Sequence, residues 1–86
     1  MASVQLLYFA WVRDKVGRPG ETATLPPEVR DVRGVLAWLQ SRDPIFATMA
    51  GEGRTIRVAI NQEFAGPDDP VGPGDEIALF PPVTGG

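Results

Sequence analysis

Two short apolar stretches with a two-residue alternation, one near each end of the chain, predict strands. In the first, over residues 4–9, one face carries Val4, Leu6 and Tyr8 and the other carries Gln5, Leu7 and Phe9. In the last, from Glu76 to Phe80, one face carries Ile77 and Leu79 and the other carries Ala78 and Phe80. Because Gln5 is polar, we expect its face to be the outer one.

The middle of the chain has the spacing of helices instead. An amphipathic helix from Asp31 to about Arg42 is predicted by its apolar residues Val32, Val35, Leu36 and Leu39. Asp31 is a suitable N-cap for it. Asp43-Pro44 predicts a second N-cap with proline at the first helical position, followed by a short turn whose Ile45, Phe46 and Met49 face the core. A further short helix over residues 11–16 ends at Gly17.

Three more strands are predicted: one over residues 21–25, one over residues 55–60, and a short one at Glu63-Phe64 after an Asn61-Gln62 turn. In the second of them Ile56, Val58 and Ile60 face inward and Arg57 and Ala59 outward. A proline- and glycine-rich loop occupies residues 66–75. This order of elements predicts one α+β domain of two layers over residues 1–86.

Composition excludes several kinds of chemistry. The 86 residues include no cysteine, so disulfides, thiolate metal sites and a cysteine nucleophile are excluded, and no histidine, the usual base near neutral pH. The net charge is −3 and the cations are scattered, which argues against a nucleic-acid partner. The apolar run from Leu6 to Val12 is too short to span a membrane, and the N-terminus lacks a signal-peptide pattern. We therefore expect a soluble, cytoplasmic protein with no metal site.

The chain ends in Phe80-Pro81-Pro82-Val83-Thr84-Gly85-Gly86. Two prolines stiffen the backbone after the last strand, and two glycines then leave it without side chains. At full extension residues 82–86 would reach roughly 16–18 Å. A terminal carboxylate on such a thin tail could enter a narrow active site of another protein. The ordinary alternative is a frayed terminus.

Three local patterns together resemble one family. They are Leu7-Tyr8-Phe9-Ala10 with Gly17 after it, Val58-Ala59-Ile60-Asn61, and residues 74–86, which are the most specific of the three. The chain resembles, from end to end, the small sulfur-carrying subunit of molybdopterin synthase. The resemblance implies a ubiquitin-like β-grasp fold. In that fold the first and last strands lie side by side in the middle of a mixed sheet, a helix covers one face, and a flexible tail follows, here residues 81–86.

The resemblance also implies a chemistry for the tail. Gly86 would be adenylated by an ATP-dependent activating enzyme and converted to a thiocarboxylate, which donates sulfur to a cyclic pterin precursor in molybdenum cofactor biosynthesis. Gly85, Thr84 and Val83 would occupy a channel in the partner. The chain itself would be non-catalytic and would bind no cofactor, since ATP is used by the activating enzyme. Without cysteine, the chain cannot carry sulfur as a persulfide.

A partner surface is expected at the root of the tail. With the first and last strands adjacent, an apolar patch on the outer face is formed by Leu7, Phe9, Ala78 and Phe80, followed by Pro81 and Pro82. Coverage of some of these side chains by the chain's own loops is the plainer alternative. The partners that the resemblance implies are the adenylating enzyme and the large synthase subunit, in an assembly of two small and two large subunits.

Three other functions are compatible with the same residues. A related sulfur carrier for thiamin or tRNA thiolation would use the same tail chemistry. A ubiquitin-like modifier would be joined through Gly86 to lysines of its targets. A plain interaction domain would keep its function after Gly86 is deleted.

Overall fold

The computed structural model describes residues 2–53 and 55–82. In chain order its elements are β1 (Ala2–Tyr8), α1 (Ala10–Val16), β2 (Gly20–Leu25), α2 (Val32–Arg42), α3 (Pro44–Gly51), β3 (Arg57–Ile60), β4 (Glu63–Ala65) and β5 (Glu76–Phe80). Each predicted element is confirmed, with small shifts at the ends. The first strand ends at Tyr8, so Phe9 lies at its junction with α1, and β3 begins at Arg57, later than predicted.

The five strands of the described chain form one sheet in the order β2-β1-β5-β3-β4. β1 and β5 run parallel to each other in its middle, while the other neighbouring pairs are antiparallel. The central position of the first and last strands, expected from the resemblance, is therefore confirmed. Since β5 leads into the tail, the tail leaves from the middle of the sheet.

Local sequence signals explain where the helices begin and end. The Asp31 side chain caps α2 by accepting a hydrogen bond of 2.8 Å from the Gly34 N–H. Asp43 caps α3 in the same way, at 3.2 Å from the Ile45 N–H, and Pro44 is the first helical residue. Gly17 ends α1 in the left-handed region with φ 90°.

The core lies between the helices and one face of the sheet, the inner face. Strands β1 and β5 contribute the buried side chains Val4, Leu6, Tyr8, Ile77 and Leu79. The helices cover them with Val12, Val35, Leu39, Phe46 and Met49. The rings of Tyr8 and Phe46 lie 5.8 Å apart between centroids. The two-layer α+β arrangement and the predicted faces of both strands are thus confirmed.

The loop after β4 packs along the start of α2. The Val32 N–H donates to the Asp69 carbonyl at 3.1 Å, and the Arg33 N–H donates to the Pro67 carbonyl at 2.9 Å. These bonds satisfy donors that the first turn of a helix leaves free. No helix in the described part of the chain has the length and apolar content that crossing a bilayer requires.

Candidate partner-docking surface

A row of apolar side chains crosses the outer face of the sheet. Leu7 of β1 pairs with Ala78 of β5, Ala78 pairs with Ala59 of β3, and Ala59 pairs with Phe64 of β4. Residues that pair directly project to the same face, so these four side chains lie side by side over four strands. Together with two aromatic residues near the tail they form the outer patch: Leu7, Phe9, Ala59, Phe64, Ala78 and Phe80.

The outer patch has small residues in its middle and bulky ones at its ends. Ala59 and Ala78 are only 8% and 9% exposed, whereas Phe64 is 80% exposed and Phe9 46%. The prediction that Ala59 faces outward is confirmed, although its side chain is nearly buried. Ala59 lies between two paired neighbours in the interior of the sheet, which leave its short side chain little contact with solvent. The patch is therefore low at its centre and raised at its aromatic ends.

Phe64 and Phe80 form the end of the patch nearest the tail. Their ring centroids are 5.8 Å apart with the planes tilted by 36°, a favourable distance for an aromatic pair. Phe80 is the last residue of β5 and is followed by Pro81, which is half-buried, and Pro82, which is exposed. The outer patch and the tail are thus continuous along the chain.

Phe9 presents an exposed ring from an anchored backbone. Its N–H donates to the Leu79 carbonyl at 3.1 Å, and its carbonyl accepts from the Val12 N–H at 3.1 Å. The next residue, Ala10, has φ 53°, which turns the chain sharply from β1 into α1. The strand-to-helix turn therefore fixes the side from which the Phe9 ring projects.

The last four residues of the tail lie outside the described part of the chain. They are Val83, Thr84, Gly85 and Gly86, so the proposed channel residues and the proposed carrier residue stay predictions. The parallel pairing of β1 with β5 brings together the residues of the expected partner surface, which are Leu7, Phe9, Ala78, Phe80, Pro81 and Pro82. Their role in partner binding also stays a prediction.

Sequence reasoning missed Phe64, the most exposed large apolar side chain described. A signal for it was present. Asn61 and Gln62 make a two-residue turn, so Ala59 must pair with Phe64 and both must share a face. Since Ala59 was predicted to face outward, the same parity would have placed Phe64 beside it.

A polar cluster closes one edge of the inner layer. The Tyr8 hydroxyl donates to the Glu21 carboxylate at 2.6 Å, Arg18 donates to the same oxygen, and the Arg42 guanidinium lies 3.2 Å from it. Burial alone would raise the pKa of Glu21, but the hydrogen bonds from Tyr8 and Arg18 and the charge of Arg42 outweigh it and lower that pKa.

Burial and the contact with Glu21 both raise the pKa of Tyr8. Burial raises the pKa of the Tyr8 hydroxyl strongly, and the hydrogen bond to Glu21 and its negative charge raise it further. The hydroxyl therefore stays protonated near neutral pH. The arrangement braces α2 and α3 against β2, since Arg18 also lies 3.6 Å from Asp43, the N-cap of α3.

The acidic residues of the loop before β5 have other partners. Asp68 pairs with Arg33 at 3.1 Å, Asp69 accepts from the Gly66 N–H at 2.7 Å, and Asp75 accepts from the Gly72 N–H at 2.8 Å. In residues 2–53 and 55–82 no three acidic side chains gather as metal ligands would. The carboxylates of Asp69 and Asp75 therefore shape local turns, and that of Asp68 links the loop to α2.

The parallel pair of first and last strands at the sheet centre, with a tail leaving beside an apolar patch, defines a ubiquitin-like β-grasp domain. The chain belongs to the ThiS family, whose model matches residues 6–86.

Several known proteins are similar to this chain in sequence or in structure. The molybdopterin synthase sulfur carrier subunit of Escherichia coli K12 is 38% identical over 84 residues, which cover 96% of this chain and 99% of that one. The structure of a putative molybdopterin converting factor subunit 1 from Pyrococcus furiosus matches with a TM-score of 0.79 at 25% identity, covering 96% and 100% of the two chains. Small archaeal modifier protein 1 of Haloferax volcanii matches with a TM-score of 0.78 at 26% identity, over 96% and 100%.

Proposed function

We propose that this chain is the sulfur-carrying subunit of a molybdopterin synthase. The observation that carries the proposal is the outer patch, an apolar surface that runs directly into the tail at Phe80-Pro81. A reactive tail needs a docking surface at its root, because binding there delivers the tail to one defined place on the partner. The resemblance to the Escherichia coli carrier subunit over nearly the whole of both chains supports the same function.

The chemistry assigned to the tail begins at the carboxylate of Gly86. In the activating enzyme, a carboxylate oxygen attacks the α-phosphate of ATP and pyrophosphate leaves. Sulfur at the oxidation level of sulfide then displaces AMP from the acyl-adenylate, and the product is a C-terminal thiocarboxylate. In the synthase this sulfur is transferred to the cyclic pterin precursor, and water restores the carboxylate of Gly86. These steps need no acid or base from the chain, which has neither histidine nor cysteine, and the partner enzymes supply the catalytic groups.

The chain's own part is binding and delivery. The outer patch holds the partner, Pro81 and Pro82 direct the tail away from the sheet, and Gly85 and Gly86 keep the tip thin. Phe64 joins the residues proposed for partner binding because it lies against Phe80. We place the chain in the cytoplasm, in an assembly of two small and two large subunits. ATP is consumed by the activating enzyme, and this chain binds no cofactor.

A ubiquitin-like modifier is the second candidate, favoured by the structural match to small archaeal modifier protein 1. In that case Gly86 would be joined to lysine side chains of target proteins. A blot of cell extract with an antibody against this chain would show a ladder of conjugates. A single band at the size of the free chain is expected for the sulfur carrier.

The experiment that tests the carrier function is intact mass spectrometry of the chain purified from its own host. We expect a fraction whose mass gain equals the exchange of one oxygen for sulfur at Gly86. A variant with one alanine appended after Gly86 should lack this fraction and should not restore molybdopterin synthesis in a carrier-deficient strain, while its melting temperature stays unchanged. Restoration by the extended variant, with the alanine shown to persist, would contradict the proposal.

A further inference from the structure

The turn between β3 and β4 is made by two non-glycine residues in the left-handed region. Asn61 has φ 51° and Gln62 has φ 71°. A two-residue hairpin turn of type I′ needs positive φ at both positions, and asparagine tolerates it better than most other side chains. The turn pairs Ile60 with Glu63 and therefore Ala59 with Phe64. It thus determines that the Phe64 ring lies on the outer face.

Three hydrogen bonds tie Asn61 to the start of β5. Its backbone N–H donates to the Glu76 carbonyl at 2.8 Å. Its side-chain Nδ2 donates to Oδ1 of Asp75 at 3.0 Å, and its Oδ1 accepts from the Glu76 N–H at 3.0 Å. The amide nitrogen meets a carboxylate and the amide oxygen meets an N–H, so each end of the side chain has the partner that it needs.

The residues that hold Asn61 are themselves fixed to the centre of the sheet. The second carboxylate oxygen of Asp75 accepts from the Gly72 N–H at 2.8 Å. The Asp75 carbonyl accepts from the Gln5 N–H of β1 at 2.9 Å. The turn is therefore anchored to both central strands, β1 and β5, at the end of the sheet opposite the tail.

Strand β4 depends on this anchor more than the other strands do. It has three residues, Glu63–Ala65, and lies at the edge of the sheet, where β3 is its one neighbouring strand. A two-stranded pairing this short is marginal without further support. A slip of one residue would move Phe64 to the opposite face and take it out of the outer patch.

We propose that Asn61 is a positioning residue of the docking surface, which acts on partner binding through Phe64 by holding the β3–β4 turn against β5. The inference rests on the proposed function, because the outer patch is taken as the surface that binds the large subunit of molybdopterin synthase.

A double-mutant cycle tests the coupling. Asn61→Gly keeps the positive φ but removes both side-chain hydrogen bonds, and Phe64→Ala removes the ring. With Phe64 present, we expect Asn61→Gly to weaken binding of the purified large subunit about five- to tenfold, but less than about twofold in the Phe64→Ala background. Titration calorimetry measures all four affinities. Equal losses in the two backgrounds would overturn the proposal.

Asp31→Ala is the matched control for a loss of stability alone. It removes a side-chain-to-backbone hydrogen bond at the start of α2, away from the outer patch. Its melting temperature should fall while its affinity for the large subunit stays that of the wild type. If Asn61→Gly behaves in the same way, Asn61 has only a structural role and the proposal is wrong.

A second readout uses the free chain. Nuclear Overhauser effects between the rings of Phe64 and Phe80 should be present in the wild type and in Asp31→Ala, and lost in Asn61→Gly. Their persistence in Asn61→Gly would overturn the positioning role. If the wild type does not bind the large subunit, the proposed function fails, whereas the ring contacts still decide what Asn61 does.

Discussion

The two faces of the sheet carry the same kinds of side chain and have different surroundings. Along β1, Leu6 is fully buried under the helices, while its neighbour Leu7 is half-buried on the outer face. Along β5, Ile77 and Leu79 belong to the core, while Phe80 lies against the exposed Phe64. Alternation alone therefore separates the faces but does not say what covers each one.

Exposure of an apolar face to water is unfavourable in free energy, and binding of a partner that buries this face is favourable for the same reason. The inner face is buried within the domain by helix residues such as Leu39, Phe46 and Met49. The outer patch has a row of four paired residues that crosses the sheet from β1 to β4, next to the end of β5 from which the tail leaves. The comparison teaches that the inner face builds stability and the outer face is available for binding.

The largest expected effects are losses of stability in the core, and two adjacent leucines show the contrast between the faces. Leu6→Ala should lower the free energy of unfolding by about 2–5 kcal/mol, because it leaves a cavity in the core. Leu7→Ala, one residue along and on the other face, should cost less than about 1 kcal/mol. Urea unfolding of both variants measures the difference. Equal losses would mean that the outer face is packed as tightly as the inner one.

The next effect is on binding, at two phenylalanines. Phe80→Ala should weaken binding of the large subunit by about 2 kcal/mol, as expected for an aromatic anchor, with a smaller change in stability. Phe46→Ala, in the core, should instead cost about 3–5 kcal/mol of stability. Calorimetric titration and thermal melts on the same preparations separate the two. Unchanged affinity with a large drop in the melting temperature of Phe80→Ala would place that side chain in the core.

Much of the fold was predictable because its signals are local. The caps at Asp31 and Asp43, the end of α1 at Gly17, and the faces of β1 and β5 each depend on residues a few positions apart. The outer-face positions of Leu7 and Phe80 follow from the same alternation. The pairing of the first and last strands in the middle of the sheet did not follow from periodicity, and it was expected only through the family resemblance.

The features that were missed depend on contacts between distant parts of the chain. Glu21 meets Tyr8 across 13 positions in the sequence, and no local pattern marks that contact. Asn61 was recognised as part of a motif and a turn, but its bonds to Asp75 and Glu76 span 14 and 15 positions. Phe64 is different, since the parity of a two-residue turn would have predicted its face.

The smallest effect concerns the polar edge of the inner face. The hydroxyl of Tyr8, a core residue, donates a hydrogen bond to the Glu21 carboxylate. Because Arg18 and Arg42 also contact this carboxylate, Glu21 links the core to the charged side chains at its edge. Glu21→Gln should lower the free energy of unfolding at pH 7 by about 1–2 kcal/mol, because it weakens hydrogen bonds to a charged group. Tyr8→Phe removes one of those bonds and should lose part of this amount.

The pH dependence of stability tests whether the charge of Glu21 contributes. The pKa of Glu21 is lowered in the folded chain, so its ionised form contributes stability above the pKa of an unfolded glutamate, about 4.3. That contribution should be lost as the pH falls from about 5 through the lowered pKa. Urea unfolding at pH 7, 5, 4 and 3 should therefore show the wild type and Glu21→Gln converging in stability as the pH falls. A gap that stays constant to pH 3 would mean that the charge of Glu21 contributes nothing. The brace at this edge would then act through packing of the side chains alone.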